Sequence, residues 1–183
     1  SNAIEGYASH TSVNVGEEIT FYVSTRDPTF SMTIYRMGWY NEKGGREVYT
    51  SDGLPGGIQE LPPLGDENLI DCDWNESMKL KIPEDWVSGF YLAKLTADKT
   101  GKQSYIIFVV REDGRASDFL FQSSVTTFQA YNGWGGVSLY TYNGAQAFRV
   151  SFNRPYFAAH MGDIRPYQEA TPYATGSGEF FAH

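Results

Sequence analysis

FYLAKLTADKTGKQSYIIFVV, residues 90–110, consists of two apolar runs on either side of Asp98-Lys99-Thr100-Gly101. Apolar and β-branched residues flanking a short polar turn that ends in glycine make a β-hairpin. The same pattern extends outward in both directions. Residues 4–15 and 18–24 read as two strands separated by Val15-Gly16-Glu17, because Ile19, Phe21 and Val23 alternate with Thr20, Tyr22 and Ser24. Asp27-Pro28 marks a turn, residues 30–35 form the next strand, and another is expected around residues 47–50. Residues 51–66 carry Gly53, Pro55, Gly56, Gly57, Pro62, Pro63 and Gly65 and read as a long surface connection. Alternation resumes through Met78, Leu80 and Ile82 until Pro83 stops it.

Seven or so short strands, with turn signals about every ten residues and no amphipathic helix, point to a mainly β protein. The expected architecture is an immunoglobulin-like β-sandwich over residues 1–113. Its inner faces would be filled by Phe21, Ile34, Trp74, Trp86, Tyr91, Leu92 and Phe108. With Cys72 as the single cysteine, no internal disulfide can form, so aromatic packing has to take its place. Glu112-Asp113-Gly114-Arg115 reads as a polar hinge to a second unit, residues 114–183.

That second unit has a different chemistry. Residues 1–113 hold ten Lys or Arg against eighteen Asp or Glu, whereas residues 114–183 hold four against four. The acidity therefore belongs to the first part, and the absence of a basic face argues against nucleic acid as a partner. Within the second part, residues 118–125 form a mostly apolar run that reads as a strand covered on both faces. VSLYTYN and FRVSFNRPY read as a short hairpin around Asn143-Gly144. A doubly covered strand without covering helices is expected to be an incomplete segment of an α/β domain, which makes the chain a truncated one. So many aromatic residues should lie against the sandwich or pair between chains, as in a homo-oligomer through residues 114–183.

Most catalytic constellations lack their residues. His10, His160 and His183 have no metal-ligand spacing. There is no G-x-S-x-G elbow, and Gly133, Gly135 and Gly136 are not followed by the lysine of a phosphate loop. Asp163, Glu169 and Glu179 offer no paired-carboxylate spacing. Asp71 and Asp73 flank Cys72 and would raise its thiol pKa rather than activate it. What remains is the cluster of Tyr131, Asn132, Trp134, Tyr140 and Tyr142 around Gly135-Gly136. It could contact a ligand by stacking and hydrogen bonding, or supply phenolate oxygen to a hard metal.

The ordered motifs ITFYVSTRDPTFSMTIYRMGWY, IPEDWVSGFYLAKLT, QSYIIFVVRED, VTTFQAYNGWGGVSLYTYN and VSFNRPY span nearly the whole chain. Together they resemble the large (beta) subunit of N,N-dimethylformamidase and its relatives. The resemblance implies a β-sandwich followed by an α/β, amidohydrolase-like domain that hydrolyses a small amide with a mononuclear iron held by two tyrosines and a glutamate. It implies that Tyr131 and Tyr140 stand where the two phenolate ligands would be, with Tyr142 competing with Tyr140. The implied carboxylate belongs to a later His-Pro-Glu-Tyr-like segment that this chain lacks.

On this reading the chain is the N-terminal part of a dimethylformamidase-like hydrolase, inactive by itself. Iron would be expected in the full-length parent and none in the fragment, with Asn132, Trp134 and Tyr142 as ligand contacts. The alternative is an accessory β-sandwich module that binds carbohydrate or a partner protein. No apolar run is long enough to cross a bilayer, so no membrane partner is expected. Ser1-Asn2-Ala3 has the form of a purification-tag remnant, which is compatible with a bacterial exported protein whose signal has been removed.

Overall fold

The computed structural model describes residues 3–140 and 145–156. Eight strands form: β1 (Ile4–Ala8), β2 (Ser12–Asn14), β3 (Glu18–Thr25), β4 (Thr29–Met37), β5 (Gly45–Pro55), β6 (Met78–Lys81), β7 (Gly89–Ala97) and β8 (Gln103–Arg111). A single α-helix among the described residues, α1 (Val125–Tyr131), follows them. The strands make two sheets, one ordered β1-β3-β6 and the other β2-β8-β7-β4-β5. All pairs are antiparallel except β2 with β8. The described residues are thus mainly β with one helix, arranged in two sheets.

Alternation places the core. Ile19, Phe21 and Val23 of β3 share one buried cluster with Phe30, Met32 and Ile34 of β4, Tyr91, Ala93 and Leu95 of β7, and Ile106, Phe108 and Val110 of β8. Phe108 meets Phe21 edge-on at 5.7 Å across the core, and Tyr91 at 5.6 Å within the larger sheet. Each such ring contributes roughly 1.5–3 kcal/mol by leaving water, in a chain that has no disulfide. Trp86 stacks on Tyr91 at 4.8 Å, and the Tyr91 hydroxyl donates to the carbonyl of Val87 at 2.7 Å, which ties the β6–β7 connection to the start of β7. Of the expected core residues, Trp74 lies in a second cluster, while Leu92 is buried without belonging to either.

The β7–β8 hairpin forms as its turn chemistry requires, in register from Gly89–Val110 to Thr96–Gln103. Three expectations are corrected. β5 continues through Gly53 to Pro55, into the stretch read as a connection. Edge strands tolerate both residues because one of their ladders faces solvent, and β5 is an edge. Residues 118–125 do not form a strand: Phe119, Leu120 and Phe121 are 91%, 94% and 79% exposed, and the helix begins at Val125. With no neighbouring strand to pair with, its exposed N–H and C=O groups are free to bond water instead of a ladder, so the run stays irregular. The parallel-sheet architecture inferred from it is accordingly absent among the described residues. The turn at Asn143-Gly144 lies outside those residues, although Ala147 N–H donates to the Ser138 carbonyl at 2.7 Å, so its two flanks do meet.

A second cluster covers the outer face of the three-stranded sheet. There Tyr7 stacks on Tyr22 at 4.8 Å, and Ile70, Cys72 and Trp74 lie against it with Trp134, Val137 and Ala147. Trp74 meets Trp134 edge-on at 5.8 Å, and the Trp134 indole N–H donates to Glu5 of β1 at 2.8 Å. Part of the segment after residue 113 therefore packs on the two-sheet body.

Candidate functional site

The segment that carries the tyrosine cluster is held from beneath by Arg154, 1% exposed. Its guanidinium donates to the carbonyls of Asn132 at 2.9 Å, Val137 at 3.3 Å, Trp134 at 3.4 Å and Gln129 at 3.5 Å. These are the C-terminal end of α1 and the loop after it, where carbonyls have no partner within the helix. A cation there also complements the negative end of the helix. Burial lowers the Arg154 pKa to about 10. Asn132 completes the knot: its amide donates to Gln129 Oε1 and the Pro155 carbonyl, both at 2.9 Å, and its Oδ1 accepts from Trp134 N–H at 3.1 Å. Gln129 donates to the Ser151 carbonyl, and Ser151 in turn bonds Asp71.

On this support Tyr131, the last residue of α1, and Tyr140, nine positions on, stack with centroids 4.4 Å apart and planes 17° from parallel. They are 40% and 51% exposed. The two residues singled out as phenolate donors are thus neighbours in space. Asn132 and Trp134, expected as ligand contacts, are turned inward at 2% and 6% exposure, with their polar groups engaged in the knot. Tyr142 lies outside the described residues, as do His160, Asp163, Glu169, Glu179 and His183. Among the described residues no three His, Cys, Asp or Glu side chains come together as a metal site. The stacked pair offers two phenol oxygens, and the described residues do not complete the iron sphere that the resemblance implies. Cys72 is buried, and burial, then the charge of Asp71, pushes its thiol up to about 12, so it is no nucleophile near neutral pH.

Arg154 was not singled out from the sequence, where the only sign was one arginine in an otherwise uncharged VSFNRPY. A second feature was also missed: a groove of about 520 Å³ at the β4–β5 turn, lined by residues that include Tyr35, Tyr40, Lys43 and Arg46.

Two sheets, a covering aromatic layer and an exposed tyrosine stack define a β-rich protein whose later residues pack on the two-sheet body. The chain belongs to the N,N-dimethylformamidase beta subunit-like family: residues 31–179 match the model of that family's C-terminal region. This corrects the expectation that the chain is the family's N-terminal fragment, since the match to the C-terminal region starts within β4 and continues past the helix. No curated protein matches the chain. Among solved structures, VCBP3 domain 1 from Branchiostoma floridae aligns with 62% of this chain and 98% of its own, at 12% identity and a TM-score of 0.37.

Proposed function

We propose that this chain is a docking module of an amidohydrolase-like assembly, binding a protein partner through the apolar side chains of residues 119–152. The observation that carries this reading is their exposure. Phe119, Leu120, Phe121, Tyr131, Tyr140, Phe148 and Phe152 all stand in water, within a stretch that carries few charges. Exposed aromatics at this density are characteristic of protein–protein interfaces. The partner we infer is the hydrolase body of a dimethylformamidase-like protein, with a small amide as its substrate. The scaffold is read as an immunoglobulin-like sandwich. In support, the order β8-β7-β4-β5 follows the G-F-C-C′ order of such folds, and the Tyr91–Val87 hydrogen bond has the form of a tyrosine corner.

The test is sedimentation of the chain with a purified dimethylformamidase-type hydrolase from which the matching region has been removed. A complex is expected, and the triple variant Phe119→Ser, Leu120→Ser, Phe121→Ser should abolish it while leaving the chain folded, with only the small stability loss of the Phe121 edge contact on Phe90 at 5.6 Å. If no complex forms, if the variant binds equally well, or if the chain pairs only with itself, this reading is wrong.

A second reading is favoured by the Tyr131–Tyr140 stack: the pair serves as two oxygen donors of a metal site in the assembled protein. On this reading the two phenols orient and charge-balance the bound ion, which would supply Lewis-acid chemistry. Adding ferric ion to the assembled protein should produce a visible phenolate charge-transfer band. Tyr131→Phe and Tyr140→Phe should each weaken that band, and its persistence in both variants would remove the assignment.

A further inference from the structure

We propose that the groove at the β4–β5 turn is a binding site for an acidic saccharide, the sugar ring lying against aromatic side chains and its carboxylate meeting Arg46 and Lys43. The inference stands apart from the docking reading, because it rests on other residues.

The charge arrangement is the first ground. Arg36 of β4 and Arg46 of β5 are directly opposite each other in the antiparallel ladder. Like charges facing one another across a strand pair are unfavourable unless something of opposite sign joins them. Arg36 is already committed: its guanidinium donates to the Tyr40 hydroxyl at 2.5 Å, the Val87 carbonyl at 3.2 Å and the Ser88 carbonyl at 2.8 Å. Arg46 lies over the Tyr40 ring at 5.3 Å, and neither Arg46 nor Lys43 takes part in an ion pair among the described residues. Two cations thus line a groove without a carboxylate paired to either, in a chain whose net charge is −8. The carboxylate that does line it, Glu47, accepts from the Thr50 hydroxyl.

Shape and chemistry are the second ground. The groove, about 520 Å³, is open to solvent over much of its extent, so it offers a surface on which a ring can lie rather than an enclosed pocket. Tyr35 and Tyr40 line it, each with a cation over one face of its ring, Lys94 at 5.4 Å and Arg46 at 5.3 Å, and Trp39, next to Tyr40 in the chain, is 72% exposed. The turn is held in an unusual shape: Tyr40, Asn41 and Glu42 have φ of 37°, 55° and 70°, where residues with side chains are strained. The Gly38 N–H to Gly44 carbonyl bond at 3.0 Å closes the turn. Aromatic faces with a few placed cations suit a ring-shaped, singly charged unit. A long polyanion such as nucleic acid would be repelled by the acidic remainder of the chain.

The chain as it stands should be titrated with trigalacturonate, and with a neutral galactose trisaccharide of the same length, following tryptophan emission. Trp39 is the informative reporter, since Trp74, Trp86 and Trp134 are buried. A saturable change with the acidic sugar alone is expected, and Arg46→Ala should weaken it about tenfold or more by removing a charge-assisted hydrogen bond. Lys43→Ala should weaken it less, and the Phe119→Ser, Leu120→Ser, Phe121→Ser variant should bind as well as the parent. Equal binding of both sugars, silence with trigalacturonate, or no loss in a folded Arg46→Ala variant would each overturn the proposal. So would tighter, Arg46-dependent binding of a glutamate trimer.

Discussion

Asp27 sits in the β3–β4 turn and is 5% exposed, yet its Oδ2 accepts three hydrogen bonds from the β7–β8 turn. The donors are Lys99 N–H at 2.9 Å, Thr100 N–H at 2.7 Å and the Thr100 hydroxyl at 3.0 Å. One carboxylate thereby clasps two turns that are distant in sequence. Asp27→Ala should cost about 2 kcal/mol, since charge-assisted bonds are lost while the freed donors can reach water. Asp27→Asn should cost less, because an amide oxygen still accepts. Urea unfolding of the three proteins measures both, and equal midpoints for wild type and Asp27→Ala would show that the clasp contributes nothing. In the sequence Asp27-Pro28 is only a turn signal; its partners lie more than seventy positions away, and no local pattern reports them.

At the scale of elements, β1 and α1 make opposite demands. β1 lies close against its surroundings at Gly6, where a Cβ would come 2.7 Å from the Tyr22 carbonyl and 3.0 Å from Ile106 Cδ1. Neither backbone nor a packed core side chain can yield cheaply, so Gly6→Ala should destabilise by about 1–3 kcal/mol in thermal unfolding. α1 has seven residues, too few to persist as an isolated helix, and Ser124 makes no side-chain cap bond. It exists because Asn132 and Arg154 tie its end down. Asn132→Ala should therefore remove amide-exchange protection around Trp134 to Val137 by about 2 kcal/mol, leaving β7 and β8 protected. Uniform loss across all strands would show instead that the segment and the sheets unfold together. α1 was not legible beforehand because VTTFQAY carries two threonines and two aromatics with no amphipathic stripe, and its helicity comes from tertiary ties.

For the whole molecule, the buried acids set the response to alkali. Burial is the leading cause in each: it raises Cys72 from 9.0 to about 12, Tyr91 and Tyr156 from 10.0 to about 12, and Tyr7 also upward. Each group holds its proton more tightly folded than unfolded. Its contribution is complete below the unfolded value and is lost as pH rises towards the folded one. Arg154, lowered to about 10 by burial, works in the opposite direction above that pH. Four acids against one base make stability fall between about pH 9 and 12, and Cys72→Ala should flatten the first part of that decline. Denaturant titrations across this range supply the measurement, and a flat profile would contradict the burial of these groups.

Most strands of residues 4–111 declare themselves through period-two alternation, because a half-buried strand writes its inward face into every second residue, but residues 4–15, read as one strand, divide into β1 and β2 in different sheets. Even there, the path of β5 through Gly53 and Pro55 depended on its becoming an edge, which is a property of the sheet. Only the family resemblance brought Tyr131 and Tyr140 forward as a pair, and nothing local says that their rings stack. Beyond residue 111 no period survives, and folding is governed by contacts between distant segments: Trp134 on Trp74 and Glu5, Cys72 N–H on the Asn153 carbonyl, and one buried guanidinium gathering four carbonyls. Such convergence leaves no trace in spacing, because hydrogen-bond satisfaction in a buried loop is a three-dimensional condition on groups that every residue carries.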